Sequence, residues 1–255
     1  MPTVRPAILI SYAYWAPWVL DRYEVREWVL DSGAYTAWSQ GKPVDLQQYI
    51  DFCLEVRQKY PNLRDIFALD VIGDGAASVR NAEEMTRQGL TVIPTFHLGS
   101  PEEFLYELAA KYDKLALGGM VHKHGTMKQP KAKFAEQAFA RVWPKKLHGF
   151  GLCSRRLIDR LPWHSVDFSN WAVDPMRFGK WRAYGKHMAH VSVRDHRRIA
   201  LAAEVEHWYR VEAEVRRTRP EFTIYLAVST QPNPKPDSAV MAIYDGAFPR
   251  KEQAA

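Results

Sequence analysis

Apolar residues gather in eight short runs rich in β-branched and aromatic side chains, at residues 7–14, 28–31, 65–70, 91–97, 114–118, 147–152, 165–168 and 222–229. Runs of this length between turn residues read as strands, and most are separated by a segment whose apolar positions recur at helical spacing. Continuous apolar strands alternating with amphipathic helices mark a parallel sheet covered by helices. Eight such units predict an α/β fold of the TIM type, a (β/α)8 barrel in one compact domain over residues 1–230.

The helices carry readable starts. Asp45 and Gln48 form a capping box ahead of Leu46, Tyr49, Ile50, Cys53 and Val56, which fall on one face. Ser100, Pro101 and Glu103 form a second start, with Ser as cap and Pro in the first turn. Further helices are expected at residues 81–88, 131–142, 154–160 and 197–217, the last long, charged and on the outside. Residues 231–255 open with Pro232, Pro234 and Pro236 and read as an extended C-terminal extension, with a short strand at 239–244.

Composition narrows the function classes. At 255 residues, 47% hydrophobic and 25% charged, the chain has globular composition and enough length for one barrel core. Its longest apolar runs, at residues 7–10 and 224–228, fall far short of the roughly 18 residues of a membrane span. The N-terminus lacks the pattern of a secretory signal, so the expected location is the cytoplasm. Two cysteines, Cys53 and Cys153, support neither a disulfide framework nor a zinc site, and both are expected as buried thiols. A net charge of +6 favours an anionic partner.

Barrel chemistry sits where strands end, so the polar residues closing each run are informative. Strand two ends in Asp31-Ser32-Gly33, strand three in Asp70, strand four in His97, strand five in Gly118-Gly119, and strand seven in Asp167. An Asp after a strand often only caps the next helix. Three of them, each drawn inward by apolar neighbours as in Val29-Leu30-Asp31 and Ala68-Leu69-Asp70, place costly charge near the interior, and function is one reason to accept that cost.

These segments resemble the tRNA-guanine transglycosylase superfamily. Asp31-Ser32-Gly33-Ala34-Tyr35 is similar to its Asp-Ser-Gly-Gly-Phe signature, and Phe67-Ala68-Leu69-Asp70 to its second aspartate motif. Leu117-Gly118-Gly119-Met120 resembles its Gly-Gly loop, Gly149-Phe150-Gly151 its Met-Gly strand end, and residues 166–171 its nucleophile segment, all in family order. The resemblance implies Asp167 as nucleophile on the anomeric carbon and Asp31 as acid and base, a role that asks for a raised pKa. It further implies that Asp70 reads the guanine edge and that backbone N–H groups at Gly118 and Gly119 meet the base carbonyl, although a plain tight turn accounts for the glycines equally. Tyr35 and Phe150 would sandwich the base, His97 would contact it, and Ser32 would bond substrate or steady its loop; each of these could instead be structural.

The zinc-binding cluster of the tRNA enzymes, three close cysteines and a histidine, has no counterpart in the sequence. The chain therefore looks most like the phage-type (DpdA) 7-deazaguanine DNA transglycosylases, which implies DNA rather than tRNA as partner, a 7-deazaguanine base as co-substrate, and neither metal nor cofactor. Trp171, Arg177, Lys180, Trp181, Arg182, Lys186 and Arg194 follow Asp167 as a basic, aromatic stretch suited to phosphates and unstacked bases. A second basic loop, His122-Lys123-His124 with Lys128, Lys131 and Lys133, follows strand five. Three other readings stay open: a tRNA-guanine transglycosylase, a catalytically silent nucleic-acid-binding barrel, and a barrel hydrolase or lyase acting on a small anion.

Overall fold

The computed structural model describes residues 4–119, 131–178, 182–183, 186–187, 193–228 and 239–251. Its strands are β1 (Ala7–Ser11), β2 (Glu27–Asp31), β3 (Leu63–Phe67), β4 (Val92–Ile93), β5 (Thr95–His97), β6 (Lys114–Gly118), β7 (Lys146–Gly149), β8 (Ser165–Phe168) and β11 (Thr223–Val228), with β9 (Arg182–Ala183) and β10 (Lys186–His187) as a separate antiparallel pair. The nine strands of the main sheet are parallel and ordered β4-β3-β2-β1-β11-β8-β7-β6-β5. They form a nearly closed α/β barrel of the TIM type, as the eight runs predict.

The ninth strand arises because the fourth run is divided. Pro94 has no N–H and interrupts the ladder, so β4 pairs with β3 through Ile66↔Val92 while β5 pairs with β6 through Thr95↔Ala116. The carbonyls at the break stay satisfied: Ile93 accepts from Ala68 N–H at 2.9 Å and Pro94 from Ala116 N–H at 2.8 Å. One bent run thus joins the two ends of the sheet.

Around the barrel run α1 (Pro17–Arg22), α2 (Ala34–Ser39), α3 (Leu46–Lys59), α4 (Gly75–Arg87), α5 (Glu102–Lys111), α6 (Lys131–Val142), α7 (Arg155–Arg160), α8 (Asn170–Phe178), α9 (Val193–Arg216) and α10 (Ala239–Ala247). The α3 cap forms, with Asp45 accepting Gln48 N–H at 2.9 Å, and the helix buries Tyr49, Ile50, Cys53 and Val56. Three expectations change. Helix α4 begins six residues before residue 81, because Asp74 accepts Ala77 N–H at 2.8 Å and caps it there. Helix α5 takes Pro101 itself as its N-cap, and Ser100 makes no cap bond. The strand expected at 239–244 is instead the start of α10, whose Tyr244 and Ala247, with Phe248 just beyond, are buried against Trp18, Tyr23 and Trp171.

Two apolar clusters result. The larger fills the layer between barrel and helices; the smaller, with Leu9, Val29, Phe67, Ile93, Ala116 and Tyr225, lies on the alternate face of the same strands and fills the barrel. Among the described residues no helix is long and apolar enough to cross a membrane. Cys53 is buried as expected, whereas Cys153 is half-buried.

Candidate active site

Asp31 and Asp167 are placed by strands, and Asp70 by the loop after β3. Asp31 is the last residue of β2, paired across from Ser11, the last of β1. Asp70 follows β3 by three residues, and Asp167 sits in β8 opposite Tyr225 of β11. Asp70 and Asp167 both lie close enough to Asp31 to act on its charge. Burial first, then the charges of Asp70 and Asp167, push Asp31 up to about 7, against partial relief from Ser11 and from Gly33 N–H, which donates to Asp31 Oδ2 at 3.1 Å. Ser11 Oγ eases the charge from nearby and is buried with no hydrogen-bond partner among the described residues.

Asp70 is held from two sides. Ser32 donates to Oδ1 at 3.2 Å, and His97 Nε2 meets Oδ2 at 2.6 Å. Ser32 is itself buried, and it accepts the N–H of Ala34 at 3.3 Å, which ties this contact to the start of α2. The reason for glycine at 118 is now steric: a Cβ there would come within 2.5 Å of the His97 ring. Gly119 turns the chain at φ +76°, next to Leu98. His97, expected to touch a base, is thus spent at Nε2 on Asp70 and lies over Gly118.

Asp167 is buried and accepts at Oδ1 from Gly151 N–H at 3.0 Å and from the His148 ring at 3.2 Å. Phe150 stands beside the same histidine, its ring 4.8 Å from that of His148 and 4.6 Å from that of Phe67. His148 and Ser11 escape a reading by strand ends because neither closes an acidic motif. Alternation is the available signal for His148, which precedes Phe150, just past the end of β7, by two residues; Ser11 is found only through the pairing of β1 with β2, which sets it across from Asp31.

Asp31, Asp70, Ser32, His97, Gly118 and Asp167 therefore come together on one rim, with Phe150 joined through His148. Tyr35, in the first turn of α2, is 44% exposed and its ring lies 6.0 Å from that of the exposed Trp38. One expected residue stands apart from the rim. Trp171 is fully buried, its indole N–H bonded to the Ala227 carbonyl at 3.0 Å and its ring stacked on Phe248 at 5.4 Å; it is core, where a nucleic-acid contact was expected.

Lys180 and Trp181 lie outside the described residues, as do His122, Lys123, His124 and Lys128. Arg177 lies in α8, Arg182 in β9, Lys186 in β10 and Arg194 in α9, with their side chains outside the description. A narrow flank cleft, lined by Pro6, Arg26, Trp208, Tyr209 and Glu212 among others, lies by the starts of β1, β2 and β11, whereas Asp31 closes β2 at its other end. Its ion pair, Arg26 to Glu212 at 2.7 Å, joins α9 to the chain entering β2. Comparison with protein-family models, curated proteins and solved structures gives no match.

Proposed function

We propose that this chain is a pentosyltransferase that exchanges guanine in DNA for a 7-deazaguanine derivative through a covalent bond between Asp167 and the sugar. The supporting observation is one geometry: Asp31 at the end of β2 is buried within reach of the charges of Asp70, in the loop after β3, and of Asp167 in β8, and burial and these charges raise its pKa to about 7. A group with that pKa can give and take a proton at physiological pH. Protonated Asp31 delivers its proton to the departing guanine while a lone pair of Asp167 forms the bond to the anomeric carbon. Asp31, then ionised, takes the proton of the incoming base, whose nitrogen displaces the Asp167 carboxylate. Asp70, held by Ser32 and His97, keeps lone pairs for the amino and ring N–H groups of guanine, an edge that adenine lacks.

The deciding assay incubates the protein with labelled 7-deazaguanine bases and either duplex DNA or tRNA, with Asp167→Ala as control. Label entering DNA and absent with the variant is the expected result. Label entering tRNA alone moves the substrate to tRNA. Incorporation into neither, across several bases, overturns the reading.

A further inference from the structure

The barrel interior holds polar groups that the double displacement above does not use. His148 is 2% exposed, and its ring is walled by Phe67 at 4.7 Å, Phe150 at 4.8 Å and Tyr225 at 6.3 Å. Its Nδ1 lies 2.9 Å from Ser165 Oγ and its Nε2 3.2 Å from Asp167 Oδ1. The strands impose this line, because β7 and β8 pair with His148 opposite Ser165, and Asp167 follows Ser165 by two residues on the same face. The same Oδ1 accepts from Gly151 N–H at 3.0 Å, while Oδ2 has no hydrogen-bond partner among the described residues.

An ionised carboxylate only accepts, so the ring nitrogen facing it must carry hydrogen. In the neutral ring that leaves Nδ1 to accept from the Ser165 hydroxyl. Two donors on one oxygen fix the carboxylate plane and draw charge to Oδ1, and the second oxygen keeps its lone pairs free. Resting on the reading of Asp167 as nucleophile, we infer that His148 is a positioning residue which, with Ser165 and the Gly151 N–H, presents Asp167 Oδ2 as the attacking oxygen. A lone pair of Oδ2 forms the bond to the anomeric carbon as the carbon–nitrogen bond breaks and its pair leaves with guanine. On resolution the carbon–Oδ2 bond breaks and the pair returns to Oδ2. His148 holds its proton throughout.

Two measurements on the full chain test this. The first is the protonation pattern of the ¹⁵N-labelled His148 ring by NMR, assigned by its loss in His148→Gln. Hydrogen on Nε2 is expected; a ring protonated on Nδ1 alone overturns the inference. The second is single-turnover formation of the denaturation-resistant adduct with guanine-containing DNA and with tRNA. His148→Phe, which fills the space without a donor, should slow it roughly 100-fold, as displaced supporting groups do. His148→Gln, which restores an N–H donor, should return the rate to within about tenfold of wild type, with nucleic-acid affinity in both variants within about twofold of it. Equal rates in wild type and His148→Phe, or equal losses in His148→Phe and His148→Gln, overturn it. Should His148→Phe fail to fold, Ser165→Ala replaces it, with about tenfold slowing at unchanged affinity expected and wild-type rate counting against. If wild type forms no adduct with either nucleic acid, the nucleophile reading falls, and the NMR result judges the positioning on its own.

Discussion

Asp31 is where sequence motif and electrostatics meet most directly. Its carboxyl titrates near 3.8 when free and is pushed up to about 7 by burial, Asp70 and Asp167. For an acid raised on folding, the native state binds more protons than the unfolded chain between these two values. Stability is therefore fully present below about pH 4 and is lost as pH rises through about 7. Asp31→Asn removes the buried charge and should stabilise the protein at pH 8 by about 2–4 kcal/mol, with no gain at pH 4, as read by denaturant unfolding at both pH values. The same titration governs rate under the proposed function. Guanine departure needs the protonated form, so single-turnover adduct formation should fall about tenfold per pH unit above roughly 7, and Asp31→Asn should lose that dependence along with most of its rate. A flat profile in wild type would remove Asp31 from the acid role.

At the scale of elements, the turn from β2 into α2 shows how local backbone serves the rim. Gly33 is the N-cap of α2 at φ +74°, and a Cβ there would lie 2.5 Å from Ala13 Cβ and 2.8 Å from Ser11 Oγ. Only glycine lets the chain turn tightly enough to return its N–H to Asp31 while Ser32 reaches Asp70. Gly33→Ala should cost about 2–4 kcal/mol, from left-handed strain plus displacement of the 3-10 turn at Tyr12–Tyr14, and should lower activity beyond the loss of folded protein. Thermal melts paired with adduct assays on the folded fraction measure both. This glycine was legible as part of a motif. The clash that demands it comes from β1 and its following turn, about twenty residues earlier in the chain, and no reading of residues 31–35 contains it.

The whole molecule distributes its aromatic residues between core and rim in a way that the sequence mixes together. Trp171 lies four residues after Asp167, yet it packs on Phe248 and Tyr244, which come from α10 and the residue after it. Trp171→Ala should therefore cost about 3–5 kcal/mol in unfolding experiments, and the folded fraction should bind DNA as wild type does. A selective loss of DNA binding without loss of stability would return this residue to the interface. The net charge of +6 belongs to this scale as well. Under the proposed function DNA affinity should fall steeply with salt, and replacing Arg177 or Lys186 by Ala should reduce the logarithmic salt slope by about 0.9 for each phosphate contact removed. Unchanged slopes in both variants would place the DNA elsewhere on the surface.

The sequence by itself determined the repeating strands and helices, because alternation and helical period are local, and it located Asp31, Asp70 and Asp167 at or near strand ends. It also placed the Asp45 cap, whose partner is three residues away. Tertiary structure alone decided what these groups do to one another. The raised pKa of Asp31 needs charges 39 and 136 positions away in sequence brought to one rim. The hold on Asp167 needs His148 from the neighbouring strand, the glycine at 118 answers to a ring from β5, and α10 becomes core against α9, α8 and residues from the first quarter of the chain. Through-space repulsion, burial and steric contact depend on distances that chain order does not encode residue by residue, and the nearly closed barrel is what sets them.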